Sequence, residues 1–212
     1  MATIFWSNVA VAVQSALASA ETITGITNAS PGVVTTSGTL PSDGDFVLVT
    51  ATGMHQLDGR VFRVDNASGS TFELEGEDTS SYDTFATGSF QVITYGTTLS
   101  TVTDVSPSGG EPEFADVTTI HDSIRKQVPT VTSALSFGMT SKFDPTDTAL
   151  QALKVASDNI SERAVKFTFA NGSIVTFNGY VSMPMVPTGS AQGLVTTPLT
   201  ITAESRLTSY SS

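Results

Sequence analysis

Residues 165–182, VKFTFANGSIVTFNGYVS, constrain the fold more than any other part of the chain. Val165, Phe167 and Phe169 alternate with Lys166, Thr168 and Ala170, and after Asn171-Gly172 the residues Val175, Phe177 and Val181 alternate with Thr176, Asn178 and Tyr180. Period-two alternation marks two strands, each with one apolar face. Parity also fixes the turn. A two-residue loop at Asn171-Gly172 sets Phe167 opposite Thr176 and mixes the faces. A three-residue loop, Ala170-Asn171-Gly172, sets Phe167 opposite Val175 and Val165 opposite Phe177, which keeps the large apolar side chains together. That register is predicted, with Gly172 left-handed, an apolar face packed inside the subunit and a wet face carrying Thr168 and Thr176.

The rest of the chain is built from similar material. Thr and Ser number 33 and 27, while charged residues are only 14% of 212. A Thr-rich, Lys-poor chain favours strands with an uncharged polar face. Residues 23–95 read as a separate small β-module. Its strands are expected at 32–36, 46–50, 61–65, 71–75 and 90–94, punctuated by turn residues such as Asp58-Gly59. It holds nine acidic residues and two basic ones, a net of −7, against eleven and seven, a net of −4, elsewhere. The remainder is then residues 1–22 and 96–212, with a strand at 9–13 and Trp6, with Phe5, as a packing anchor. Residues 96–129 are the least regular, and 106–112 read as a turn or loop. Residues 131–143 are expected to form one long strand, which implies a sheet that extends past its own domain or a bend at Gly138. A helix capped by Asp144 follows, with Pro145 at its first position and an apolar stripe of Leu150, Leu153 and Ala156. The last strand, 195–203, carries Pro198, which favours an edge or the first residues of a strand, and residues 208–212 are expected to fray.

Candidate chemistry is sparse. There is no Cys, so thiolate chemistry and Cys-based zinc sites are out. His121-Asp122-Ser123 holds the residue types of a hydrolase triad, but sequence neighbours do not converge as a triad does and no nucleophile-elbow motif is present. Glu73–Asp78 and Asp43-Gly44-Asp45 are acidic, yet neither follows a calcium-loop pattern, and a solvated acidic face is the simpler reading. No phosphate-cradling motif occurs. A net charge of −11 opposes nucleic-acid binding by a basic footprint. The chain shows no secretory leader and no run long enough to span a membrane. No catalytic, cofactor or metal site is expected.

The order of elements in the second half carries a resemblance. Glu113-Phe114-Ala115-Asp116-Val117-Thr118-Thr119-Ile120-His121-Asp122, a long strand, a short capped helix, the Asn-Gly and Gly-Tyr-Val hairpin and a Thr-rich last strand resemble the major tail tube proteins of long, non-contractile-tailed bacteriophages. The resemblance runs from about Thr98 to Arg206, and more loosely over residues 1–22. Residues 23–95 depart from the minimal pattern and look like a small β-module found in phage tail proteins, with no enzymatic implication.

The resemblance implies a mainly β, antiparallel sandwich or barrel-forming fold with one packed helix, and a structural virion protein. It implies hexameric rings that stack into a tube, assembled in the host cytoplasm. The tube would house the tape-measure protein, join tail tip and terminator proteins, and pass double-stranded DNA without specific binding. The irregular segment bearing Glu113, Asp116, Val117, Thr118, Thr119, His121 and Asp122 is then expected to contact the adjacent subunit or ring. The inserted module is expected on the outer wall, where deleting residues 24–94 leaves assembly intact if their ends lie close together. A tail terminator ring protein and a surface adhesion β-sandwich are the alternatives.

Overall fold

The computed structural model describes residues 6 and 8–211. The chain opens with β1 (Ala10–Val13) and leaves it for a second sheet. That sheet is built from β2 (Ala16–Leu17), β3 (Glu21–Ile26), β4 (Gly32–Thr36), β5 (Phe46–Thr52), β6 (Arg60–Ser68), β7 (Thr71–Leu74) and β8 (Thr87–Thr94), with one 3-10 turn at His55–Leu57. The chain returns through β9 (Thr97–Leu99) and β10 (Val102–Ser108), makes a hairpin of β11 (Pro112–Asp116) and β12 (Gln127–Thr132), and runs on through β13 (Ser136–Lys142). Helix α1 (Thr148–Asp158) precedes β14 (Glu162–Thr168), β15 (Ile174–Ser182), β16 (Thr196–Ala203) and β17 (Thr208–Tyr210). The larger sheet runs β10-β13-β16-β15-β14-β1-β9, with β17 on β15, and every pairing is antiparallel. The expected mainly β, antiparallel class with one helix is what the chain adopts.

The β14–β15 hairpin takes the register that parity dictates. Val165 faces Phe177 and Phe167 faces Val175. The Phe169 N–H donates to the Ser173 carbonyl across a three-residue loop, and Gly172 has φ +86°. Val165, Phe167, Phe177 and Val181 are buried with Val11, Val13, Met139, Leu199 and Ile201, and α1 adds Ala149, Leu150, Leu153 and Ala156. The ring of Phe137 stacks on Phe177 at 4.9 Å. Each such buried Val, Leu, Ile, Phe or Met side chain contributes about 1.5–3 kcal/mol.

The helix starts one turn later than its sequence suggests. Its cap is Asp147, whose carboxylate accepts from the N–H groups of Ala149 and Leu150. Asp144 instead closes a local turn by accepting from the Thr146 N–H and hydroxyl. Both carboxylates precede apolar spacing, and only geometry decides between them. The expected apolar stripe is buried.

The second sheet closes on itself. β8 pairs with both β3 and β5, so β8-β3-β4-β7-β6-β5 form a six-stranded barrel with β2 appended to β8. Closure leaves no free edge among those six strands. The interior holds Phe62, Phe72, Phe90, Met54, Leu57 and Leu74, all fully buried. The barrel's acidic face is not wholly solvated. Glu77 pairs with Arg60 and Glu75 with Arg63, consuming the only two basic residues between 23 and 95.

Entry to and exit from the barrel lie side by side. The Ser15 N–H donates to the Thr94 carbonyl at 2.8 Å, and the Gly96 N–H donates to Ser15 Oγ at 3.0 Å. Yet the barrel is no pendant. A third buried cluster of Phe46, Val61, Ile93, Ala164 and Tyr210, flanked by Leu17, Leu48, Tyr95 and Ile174, joins it to β14, β15 and β17. The Tyr95 hydroxyl meets the Thr176 hydroxyl at 2.9 Å, the Arg63 N–H donates to the Tyr210 hydroxyl at 2.7 Å, and Ser205 Oγ donates to the Gly59 carbonyl. The Lys166 ammonium lies 4.8 Å from the Phe46 ring centroid and 4.6 Å from that of Tyr95.

This seam overturns the expected wet face. Thr176 is fully buried, Asn178 nearly so, and Thr168 half-buried. The face is covered by a largely apolar seam, in which the Tyr95 hydroxyl meets that of Thr176. Cutting out the barrel would bare Ala164, Thr176 and Tyr210.

Other expectations fail for local reasons. The single strand at 131–143 is two: β12 ends at Thr132 and β13 begins at Ser136, so Val131 is exposed, and the break is not at Gly138. Alternation that continues across residues 133–135 hid the crossing between two sheets. The irregular stretch 96–129 is mostly strand, with Pro107 on β10, an end strand of the sheet. Pro198 sits in a strand paired on both sides, but β15 covers only Thr200–Ala203, so Pro198 itself has one free flank. Residues 208–210 form β17 rather than fraying, and Tyr210 is a seam residue; Ser212 lies outside the described residues. Trp6 packs edge-on against Phe167 at 6.2 Å while staying half exposed; Phe5 lies outside the described residues.

Candidate functional site

The residues expected to make the intersubunit contact converge on one element, the β11–β12 arm. It prolongs the β10–β13 ladder beyond Ser108 and Ser136 and pairs with no other strand. Phe114 opposes Pro129, Ala115 opposes Val128 and Asp116 opposes Gln127. Every residue of both strands is exposed. A lone two-stranded ribbon of this kind is marginally stable in water.

Polar bonds hold its tip. Asp116 accepts from the Thr118 N–H and pairs with Arg125 at 2.7 Å. These contacts, Thr118 first and Arg125 next, hold its carboxyl below the usual carboxylate range. The Asp122 carboxylate takes Lys126, which lowers its pKa most, together with the Thr119 N–H and hydroxyl. The Val117 N–H donates to the Lys126 carbonyl, and the Glu113 carbonyl accepts from the Thr130 hydroxyl. Asp122 is thus committed to a turn rather than to its neighbour His121, and the arrangement supports no triad. Among the described residues no group of three or more His, Cys, Asp or Glu side chains is placed to hold a metal ion.

Of the arm's apolar residues only Val117 was expected at the contact; the rest escaped sequence reading. Ile120 is 97% exposed and Ile124 77%, with Phe114, Val117, Val128 and Val131 also exposed. Phe114 and Pro129 share one face, Ala115 and Val128 the other. Exposed apolar residues thus lie on both faces of an unsupported ribbon. The available signal was the absence of clean alternation between Pro112 and Pro129, which fits a ribbon without a private core.

No curated protein matches the chain. The sequence profile described as phage tail tube protein, TTP, matches residues 52–212. That span takes in the arm, the hairpin, the helix and the barrel strands from β6 onward. The chain therefore belongs to the phage tail tube protein family, structural proteins of the virion tail.

Proposed function

We propose that the chain builds the tube of a long, non-contractile phage tail as hexameric rings stacked head to tail. The tube would house the tape-measure protein during assembly, conduct DNA during infection, and end at tail tip and terminator proteins, after assembly in the host cytoplasm. The observation that carries this reading is the arm: a ribbon with every strand residue exposed, two bare isoleucines at its tip and family membership that implies self-assembly. Glu113, Asp116, Val117, Thr118, Thr119, His121 and Asp122 then belong to a subunit–subunit contact. Asp116 and Asp122 shape the turn, and the apolar residues supply the burial.

The six-stranded barrel is read as an inserted module on the outer wall. Its bulk is too great for a channel that passes duplex DNA, and its two arginines, Arg60 buried and Arg63 partly so, are already paired to Glu77 and Glu75. The test is negative-stain microscopy of the purified chain beside an Ile120→Asp/Ile124→Asp variant. Wild type is expected to form tubes and the variant to remain as folded subunits. Tubes formed equally well by both would remove the arm from the contact.

A further inference from the structure

Six asparagines occur in the chain, and only Asn171 and Asn178 precede a glycine. The pairing matters chemically, because glycine has no side chain to keep its backbone nitrogen away from the preceding side-chain amide. The two Asn-Gly pairs stand on one hairpin in opposite surroundings. Asn178 lies within β15, 1% exposed, its Nδ2 donating to the Glu162 carboxylate. Its backbone and that of Gly179 are held in the ladders to β14 and β16, and a Cβ on Gly179 would lie 2.3 Å from the Thr202 carbonyl oxygen. Nothing there can turn towards the amide carbon. Asn171 instead is exposed in the three-residue turn, next to Gly172 at φ +86°.

The turn does more than expose Asn171. The Ser173 N–H donates to Asn171 Oδ1 at 3.1 Å, and Asn171 Nδ2 donates to Ser173 Oγ at 2.9 Å. The side-chain amide is therefore folded back over the Gly172 peptide, which sets Cγ beside the Gly172 nitrogen. The N–H on Oδ1 stabilises the negative charge that grows there when Cγ is attacked. The Ser173 hydroxyl stands at the nitrogen that must leave. The Gly172 N–H, donating to the Phe169 carbonyl at 2.9 Å, is the bond that has to open first.

We infer that Asn171 is a site of spontaneous covalent modification, in which water converts its side-chain amide into a carboxylate. Hydroxide takes the Gly172 N–H proton, the Gly172 nitrogen bonds to Asn171 Cγ, and the Cγ–Nδ2 bond breaks. The Ser173 hydroxyl gives a proton to the departing ammonia and recovers one from water. Water then opens the cyclic imide at either carbonyl, leaving aspartate or isoaspartate. The sum is amide plus water to carboxylate plus ammonium. The isoaspartate form adds a methylene to the main chain of a loop closed by the Phe169 N–H on the Ser173 carbonyl at 2.9 Å. It loosens the hairpin end where Phe169 tilts against Trp6 at 5.7 Å, and it adds a negative charge to a net of −11.

The wild-type chain is incubated in mildly alkaline buffer, folded and in parallel in urea, then digested, and the acid formed at each Asn-Gly pair is read by mass spectrometry. The urea sample supplies the ratio that the flanking residues alone set. Folding should raise the Asn171-to-Asn178 ratio at least about tenfold, because a strand residue reacts only when its ladder opens. A smaller rise overturns the proposal. Isoaspartyl methyltransferase labelling should find isoaspartate at Asn171, and a product that is aspartate alone overturns the imide route. Ser173→Ala keeps the N–H on Oδ1 and removes the hydroxyl, so it should slow Asn171 severalfold in the folded chain. An unchanged rate overturns the proton transfer from Ser173.

Discussion

Two antiparallel hairpins in this chain obey opposite rules. In β14–β15, Val165, Phe167 and Phe177 fill the subunit's own core, and on the other face Ala164, Thr176 and Asn178 are covered by the barrel. In β11–β12 no residue is buried on either face. The first hairpin is satisfied twice within one chain, the second not at all. Covering a ribbon on both sides requires two partner surfaces, and the chain supplies both for β14–β15 alone. For β11–β12 the described residues supply neither, and in the proposed assembly the cost of ordering that ribbon is met by a neighbouring copy.

The largest break in this contrast should come from the seam. Phe46 is buried against Tyr95 at 5.6 Å and Tyr210 at 6.2 Å, under the Lys166 ammonium. Phe46→Ala should cost about 3–5 kcal/mol in urea unfolding, since a ring is lost from a site walled by two sheets. A loss below about 1 kcal/mol would mean that the barrel is merely tethered, because surface sites tolerate change at that level.

Next in size is the polar part of the same seam. Thr176 Oγ1 donates to the Val165 carbonyl at 3.0 Å and meets the Tyr95 hydroxyl. Thr176→Val keeps the shape and strands that hydroxyl, at a cost of about 1–3 kcal/mol. Tyr95→Phe in the same background should recover part of the loss, because it removes the orphaned group. Additive losses from the two changes would show that the contact carries no coupling.

These residues also mark where sequence reading stopped. Parity fixed the β14–β15 register because a one-residue slip would have reversed every side chain. The same parity separates an apolar face from a polar one without saying what covers the polar one. Thr176 looks solvent-facing until Tyr95, some eighty residues away in sequence, arrives over it. Barrel strands such as Gly32–Thr36 were legible because glycines and Asx residues punctuate them, whereas ring closure through β8 pairing with both β3 and β5 is a long-range fact with no local signal. The arm was legible in its polar turn residues and not in Ile120 or Ile124, since exposed apolar positions have no periodicity to betray them.

Alkaline pH should separate the two hairpins. Burial raises the pKa of both seam tyrosines, that of Tyr210 to about 12, with Arg63 acting in the opposite sense. A raised folded pKa means that the unfolded chain ionises first. The tyrosines' contribution is therefore whole below the ordinary value of 10.0 and is lost as pH climbs towards about 12. Urea midpoints of the wild type should fall across that window, and those of Tyr210→Phe should fall less steeply from a lower start, since the Arg63 N–H loses its acceptor. Parallel slopes would show that Tyr210 is not protected by the seam.

The smallest effect on subunit stability is expected from the most apolar exposed residues. Ile120 and Ile124 are 97% and 77% exposed, so Ile120→Asp/Ile124→Asp removes no internal packing from the unassembled chain. Its urea midpoint should match the wild type within about 0.5 kcal/mol, though the same change is expected to abolish tubes. The pairing of no stability cost with complete assembly loss is what a ribbon covered only by its neighbours requires. A loss of several kcal/mol in the isolated subunit would instead show that the tip folds back onto its own chain, and the two hairpins would then differ in degree rather than in kind.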